Sequence, residues 1–169
     1  DIYSTGFFCA EMAGVQPGGV YAVVGCGPVG ILAIMAAQQC GAEMIYALDT
    51  IPERLDLAQQ VNAVPIDIRR EDPVQVLHEA NDGRGADAVL EAVGSFEAER
   101  MAIELVRPGG TIAVVGVHND ETLAFSPSEA YDKNLTYRVG RCPARAYMER
   151  LAPMIREHDP GIARVISHR

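Results

Sequence analysis

Short apolar runs alternate with segments of helical pattern along the chain. Residues 20–24 are apolar throughout, as expected for a strand buried on both faces of a sheet. The alanine-rich segment 31–39 follows, and Gly41 lies just past its end, where helices commonly stop. This alternation continues along the chain. It predicts strands at 20–24, 44–48, 64–68, 88–93, 111–115 and 135–139, and helices at 31–39, 53–61, 72–80, 96–105 and 145–157.

Strands separated by helices are typical of βαβ units, which build a parallel sheet with helices on both faces. Such crossovers are almost always right-handed, which restricts the topology to a doubly wound sheet. We therefore predict an α/β fold with six parallel strands in the order 3-2-1-4-5-6. Pro65 within the third strand fits an edge position, and residues 118–133 are expected to form a loop.

Composition adds limits on the partners. The chain has 169 residues, which suits one domain, with 14 Lys and Arg against 23 Asp and Glu. A formal charge of −9 argues against binding to nucleic acid or to an anionic membrane surface. No apolar run approaches the roughly 20 residues that a membrane span needs, and the start does not resemble a secretion signal. We expect a cytoplasmic protein.

A glycine motif follows the first predicted strand and opens the next helix. Gly25, Gly27 and Gly30 match G-x-G-x-x-G, with Pro28 and Val29 inside the motif. In dinucleotide-binding proteins, these glycines allow a tight turn, approach of the backbone to a pyrophosphate, and close packing of helix and strand. The helix N terminus attracts the anion through its unpaired N–H groups, so an acidic chain can bind an anionic cofactor.

Asp49 lies 19 residues after Gly30, at the end of the second predicted strand. A carboxylate at this spacing accepts hydrogen bonds from an adenosine ribose and repels a 2′-phosphate, which favours NAD(H) over NADP(H). Arg54, one turn into the next helix, could reach the same ribose. The alternatives are a surface aspartate, a glycine loop that only makes a turn, and an arginine exposed for solubility.

An S-adenosylmethionine-dependent methyltransferase is an alternative from another class. It shares the glycine-rich first turn, the acid after the second strand and a Pro-Gly-Gly segment, here Pro108-Gly109-Gly110. Such enzymes end in an antiparallel hairpin and do not need Gly30, whereas a parallel sixth strand is predicted here.

Cysteine and histidine positions give little functional signal. No C-x-x-C pair occurs, so a zinc ribbon is not supported, and Cys26 and Cys40 are interpreted as packing residues. The four histidines have no metal spacing, and surface or capping roles are expected for them. These are His78, His118, His158 and His168.

Several segments together resemble the zinc-dependent medium-chain alcohol dehydrogenases, and the likeness covers nearly the whole chain. They are Asp1-Ile2-Tyr3-Ser4-Thr5-Gly6-Phe7, the glycine motif, Leu48-Asp49-Thr50-Ile51-Pro52-Glu53-Arg54-Leu55, residues 85–94, Arg107-Pro108-Gly109-Gly110-Thr111, Gly140-Arg141-Cys142-Pro143 and residues 148–151. The resemblance implies the Rossmann cofactor domain of a two-domain enzyme. Both ends of the chain suggest a piece of a longer protein. We divide it into a junction with the catalytic domain (1–14), an NAD-binding domain (15–160) and a returning segment (161–169).

The resemblance also implies roles for single residues. Thr5 and Val29 would face the nicotinamide, and Val93 and Gly94 the adenine or its ribose. Asp1 is similar to the third zinc ligand, whose partner ligands would lie outside this chain. The backbone of five further residues would line the carboxamide pocket: Val115, Gly116, Val117, Gly140 and Cys142. Plain core valines and plain turn glycines are the alternatives.

The implied activity of the intact enzyme is hydride transfer between an alcohol or aldehyde and NAD, with zinc polarising the alcohol oxygen. The chain by itself is expected to bind NAD(H) weakly and not to catalyse. A zinc-free relative of the quinone-reductase type and a non-catalytic dinucleotide-binding module remain open, as does the substrate. The family usually pairs subunits through the sheet edge near residues 135–139, so we expect a homo-oligomer, a dimer or tetramer, although Lys133 and Arg138 could protect that edge.

Overall fold

A single parallel sheet organises the chain. The computed structural model describes residues 1–157 and 161–166. Six strands lie in the order β3-β2-β1-β4-β5-β6, and every neighbouring pair is parallel. This confirms the predicted doubly wound topology. The strands are β1 (Val20–Val24), β2 (Met44–Asp49), β3 (Val64–Asp67), β4 (Ala86–Glu91), β5 (Val106–Val114) and β6 (Thr136–Val139).

Helices cover both faces of the sheet. They are α1 (Ile2–Ala13), α2 (Pro28–Gln39), α3 (Pro52–Gln60), α4 (Pro73–Ala80), α5 (Phe96–Leu105), α6 (Pro127–Asp132) and α7 (Ala144–Glu157), followed by a short 3-10 helix, Ile162–Val165. One core contains buried side chains of α1, α2, α3 and α7, and the other contains those of α4 and α5. Because β1 lies between these layers, all five of its residues are buried, as the uniformly apolar run predicted.

Two helices were not predicted from the sequence. Helix α1 is mostly apolar, without a polar stripe to mark its period, and it is positioned by packing on α2, where Gly6 contacts the Leu32 backbone so closely that a Cβ would lie 2.7 Å away. Helix α6 falls inside the predicted 118–133 loop. Its capping box, Ser126 with Glu129, was a readable helix signal. The proposed domain division at residues 14 and 160 remains a prediction.

The boundaries of two central strands differ from the prediction. Strand β4 ends at Glu91, two residues early, and β5 begins at Val106, before Pro108 and Gly109. The register of the β4–β5 pair shifts between Ala86 and Ala88: Ala86 pairs with Val106, and Ala88 pairs with Thr111. Strand β5 therefore contains an irregular segment between these two positions.

Strand β6 pairs parallel to β5, from Thr136 beside Thr111 to Val139 beside Val114. This is the predicted direction, and it is unlike the antiparallel ending of the methyltransferase alternative. Within the described ranges, no helix is both long and apolar enough to cross a bilayer.

Candidate functional site

A cavity of about 460 Å³ lies where β1 and β4 end side by side. This is the point at which the strand order reverses, and in open α/β sheets ligands bind in the crevice at that point. Of the predicted site residues, five line this cavity: Gly25, Gly27, Asp49, Arg54 and Val93. We call it the switch-point cavity.

The glycine turn at its base has three distinct steric roles. Gly25 has a φ of 89°, and a Cβ there would lie 2.5 Å from a Val93 methyl group. A Cβ on Gly30 would lie 1.8 Å from the Gly25 carbonyl oxygen, so α2 and the turn are in direct backbone contact. Gly27 instead faces open space, with no atom within 4 Å of an added Cβ. The backbone at Gly27 is therefore accessible to a ligand.

Asp49 connects the end of β2 to this turn. Its Oδ2 accepts a hydrogen bond from the Cys26 N–H at 2.8 Å, and its Oδ1 accepts those of Thr50 and Ile51 at 2.7 and 2.9 Å. Arg54 Nη1 lies 3.5 Å from Oδ2. A carboxylate has about four acceptor positions, and the three backbone amides use three of them. The fourth is left to the Arg54 guanidinium, which lines the same cavity as Asp49, or to a ligand.

The amides after β1 are partly engaged within the protein. The Gly25 N–H donates to the Leu48 carbonyl, and the Cys26 N–H donates to Asp49. Gly27, the N-cap of α2, has no side chain with which to satisfy the first amides of the helix. The N–H groups open to an anion are therefore those from Gly27 onward, and not those of Gly25 and Cys26.

The remaining predicted residues of this region lie beside the cavity. Pro28, Val29 and Gly30 form the first turn of α2 and do not line it. Gly94 also stands outside its wall, with a φ of 83° and with the Val117 backbone directly against it. Burial raises the pKa of the Cys26 thiol to about 12, and Asp49 adds to this shift, so Cys26 is a packing thiol as predicted.

A second cavity, of about 720 Å³, lies at the carboxyl ends of β5 and β6. It collects the residues that the resemblance placed at the nicotinamide or its carboxamide, together with Asp1, the possible zinc ligand. The former are Thr5, Val115, Gly116, Val117, Gly140 and Cys142. We call it the β5–β6 cavity. Val29, predicted on the same ligand face, is not among its lining residues.

The N-terminal residues form one side of the β5–β6 cavity. The Asp1 carbonyl accepts hydrogen bonds from the Thr5 amide at 3.0 Å and the Thr5 hydroxyl at 3.2 Å. Burial raises the pKa of the Cys142 thiol, while the Thr5 hydroxyl partly offsets this rise. The thiol therefore remains protonated at neutral pH and offers a donor rather than a thiolate.

Sequence reasoning missed two buried glutamates beside this cavity. Glu91, the last residue of β4, is completely buried, and Glu99 on α5 is 2% exposed. A single glutamate in a strand or helix has no spacing signal. An acid at the end of an apolar strand was the available hint for Glu91.

Glu91 contacts two turns at once. Its Oε1 accepts hydrogen bonds from the N–H groups of Val93 and Gly94, at 2.7 and 2.8 Å. Its Oε2 lies 3.3 Å from Nε2 of His118, which lines the β5–β6 cavity. A surface or capping role was expected for His118. Its side chain is instead only 19% exposed.

Glu99 fixes the far wall of the β5–β6 cavity. Its Oε2 accepts the Ala124 N–H at 2.6 Å, and its Oε1 accepts the Tyr137 hydroxyl at 2.5 Å. Burial, reinforced by this hydrogen bond, raises the pKa of the Tyr137 hydroxyl. The phenol therefore stays protonated and serves as a donor that joins β6 to α5.

Zinc ligands are not assembled within the described part of the chain. In residues 1–157 and 161–166, no three Asp, Glu, His or Cys side chains lie close enough to hold a metal ion. Asp1 is exposed at the cavity wall and would supply at most one ligand. His78 is exposed on α4, while His158 and His168 fall outside the described residues.

The chain is similar in structure and sequence to known alcohol dehydrogenases. The alcohol dehydrogenase TADH from Thermus sp. ATN1 superposes with a TM-score of 0.94 at 38% identity, over 99% of this chain and 49% of that chain. The fold is thus the Rossmann domain of alcohol dehydrogenases. The family model described as "Zinc-binding dehydrogenase" matches residues 28–157, and the chain belongs to this family.

Two curated relatives show how much of the family's length is present. The zinc-type alcohol dehydrogenase B of Aspergillus flavus is 39% identical over 94% of this chain and 39% of its own length. The NADP-dependent isopropanol dehydrogenase of Thermoanaerobacter brockii is 31% identical over 99% of this chain and 49% of its own length. The chain therefore spans less than half of these relatives.

Proposed function

We propose that this chain is the NAD(H)-binding domain of a zinc-type alcohol dehydrogenase. The observation that carries the proposal is the position of Asp49. Its carboxylate holds the Cys26 amide of the glycine turn and lines the switch-point cavity, where its remaining neighbour is the half-exposed Arg54 at 3.5 Å. A ribose hydroxyl is the kind of donor that fits this position.

The residues present fit the adenosine half of a dinucleotide. Gly27 leaves open space for a pyrophosphate, since even an added Cβ would meet nothing within 4 Å. The N terminus of α2 attracts that anion through its amides and its dipole. Val93 offers an apolar wall, being 50% exposed beside the glycine turn. The role proposed for this chain is therefore to bind and orient the dinucleotide.

NAD(H) is proposed over NADP(H) on electrostatic grounds. A 2′-phosphate would lie against the Asp49 carboxylate, where like charges repel. The Arg54 guanidinium lies 3.5 Å from this carboxylate, so Asp49 offsets part of its charge and Arg54 attracts a 2′-phosphate less than an unpaired arginine would. The Thermoanaerobacter brockii relative is named as NADP-dependent, which makes cofactor choice a property to be measured for this chain.

The β5–β6 cavity is proposed to receive the nicotinamide half, with the 115–117 backbone, Gly140 and Cys142 along its wall. When bound, the dinucleotide supplies a ring that exchanges hydride with an alcohol or aldehyde. The described residues form no zinc site, so zinc in the intact protein requires ligands from beyond residues 1–157 and 161–166. The 169-residue chain alone is expected to show no alcohol-dependent NADH formation.

Assembly and location remain predictions. Strand β6 lies at the sheet edge with Val139 60% exposed, which is compatible with subunit pairing there. A cytoplasmic location is expected from the composition.

Calorimetric titration with NADH and NADPH tests the proposal. We expect NADH to bind at least about tenfold more tightly, because repulsion between the 2′-phosphate and the Asp49 carboxylate at close range costs about 1.4 kcal/mol or more. The variant Asp49→Asn keeps an acceptor but loses the charge, so the preference should shrink. Tighter binding of NADPH to the parent chain, or no binding of either, would contradict the proposal.

A further inference from the structure

The two cavities meet at a pair of turns, residues 92–94 after β4 and residues 115–118 after β5. Val93 lines the switch-point cavity, whereas residues 115–118 line the β5–β6 cavity. The turns are in direct contact, since a Cβ on Gly116 would lie 2.2 Å from the Gly94 nitrogen. A change in one turn is therefore transmitted to the other by contact.

Glu91 lies between these turns and holds both. Its backbone carbonyl accepts the amides of Val115 at 3.0 Å and Gly116 at 3.2 Å, and Oε1 accepts those of Val93 and Gly94. The carboxylate is completely buried, so each of its contacts is made without competition from water.

The other oxygen of Glu91 is held by one imidazole. Oε2 lies 3.3 Å from His118 Nε2, and among the described residues this is its hydrogen-bond partner. His118 Nδ1 lies 3.9 Å from Asp120 Oδ2, on the exposed side of the same loop. The ring thus stands in the cavity wall with a carboxylate at each nitrogen.

We infer that Glu91 and His118 form a positioning pair that couples the two halves of the dinucleotide cleft. His118 holds Oε2 of Glu91, while Oε1 of the same carboxylate holds the amides of the 92–94 turn. The Glu91 carboxylate therefore fixes the 115–118 turn against the 92–94 turn. The nicotinamide half of a cofactor then meets a wall that is already in place, so less ordering is needed on binding. This inference rests on the proposed dinucleotide function.

A comparison of NADH with 5′-AMP isolates the contribution of His118. In His118→Ala, we expect NADH affinity to fall about tenfold, the scale of one lost hydrogen bond to a charged group. Affinity for 5′-AMP, which occupies only the adenosine half, should change less than about twofold. His118→Gln places an amide nitrogen near the position of Nε2 and should recover most of the NADH affinity. His78→Ala, an exposed histidine on α4, is the matched control and should behave as the parent chain.

A ligand-free measurement separates this inference from the proposed function. Amide hydrogen exchange at Gly94 and Gly116 should be faster in His118→Ala than in the parent chain, and restored in His118→Gln. Unchanged exchange in His118→Ala, or equal weakening of NADH and 5′-AMP, would overturn the coupling. If the parent chain binds no dinucleotide, the proposed function fails, and the exchange rates still decide whether His118 holds the turns.

Discussion

The two cavities at the carboxyl edge of the sheet are built in different ways. The switch-point cavity is shaped mainly by the backbone of a glycine turn and by the Asp49 carboxylate. In the β5–β6 cavity, two buried glutamates hold loops through His118, Tyr137 and the Ala124 amide. Backbone geometry imposes a glycine spacing that is visible in a sequence, whereas side-chain contacts between distant elements leave no such spacing.

The largest loss of stability around the switch-point cavity is expected from adding one methyl group at Gly30. Its Cβ would lie 1.8 Å from the Gly25 carbonyl oxygen, which cannot move without displacing the turn. We expect Gly30→Ala to lower the free energy of unfolding by about 3 kcal/mol, measured by urea denaturation.

Gly27→Ala is the matched control for this effect. Its Cβ would meet no atom within 4 Å, and its φ of −67° suits any residue. The stability should fall by about 1 kcal/mol or less, the scale of an N-cap change, while NADH binding weakens. Equal destabilisation by the two variants would contradict the distinct roles given to these glycines.

The β5–β6 cavity should respond to loss of a single hydroxyl. Tyr137→Phe removes the donor to Glu99 Oε1 and leaves a buried carboxylate oxygen without it, which should cost about 2 kcal/mol of stability. Binding of 5′-AMP should be unchanged, because Tyr137 lies outside the switch-point cavity.

Tyr131→Phe serves as the reference for that variant. Tyr131 is 83% exposed, so its hydroxyl is solvated and its removal should change stability by less than about 0.5 kcal/mol. A Tyr137→Phe protein as stable as Tyr131→Phe would show that the Glu99 contact does not hold this wall.

A smaller effect concerns the outer support of the same wall, where Arg100 contacts the Ala124 carbonyl and Glu129. The Ser126 amide and then Arg100 lower the pKa of Glu129 to about 2. A lowered pKa in the folded state stabilises the fold above the ordinary carboxyl pKa, and this support is lost as the pH falls toward 2.

Carboxyl NMR titration can measure this directly. Arg100→Gln should raise the pKa of Glu129 toward its usual 4.5 without reaching it, because the Ser126 amide still donates. A parent protein in which Glu129 titrates at its ordinary value would argue against this support.

The sequence predicted most of what depends on local pattern. The strand order, the glycine turn and the placement of Asp49 follow from uniformly apolar strands and a fixed motif spacing, and the structure shows each of them. Helix α1 was missed because its packing on α2, rather than an amphipathic period, positions it.

The β5–β6 cavity was located only through family resemblance. That resemblance named the backbone positions of its wall but not Glu91, Glu99 or His118, whose pairing depends on the packed structure. Buried polar groups need partners, but a sequence does not state which partner a folded chain will supply.

Backbone amide shift mapping with 5′-AMP and with NADH tests most directly whether each cavity takes its own half of the cofactor. With 5′-AMP, we expect shifts at Gly25, Gly27, Thr50 and Val93 and none at Gly140 or Cys142. NADH should shift both sets. Shifts from 5′-AMP in the β5–β6 cavity, or none around Asp49, would contradict this division of the cofactor between the two cavities.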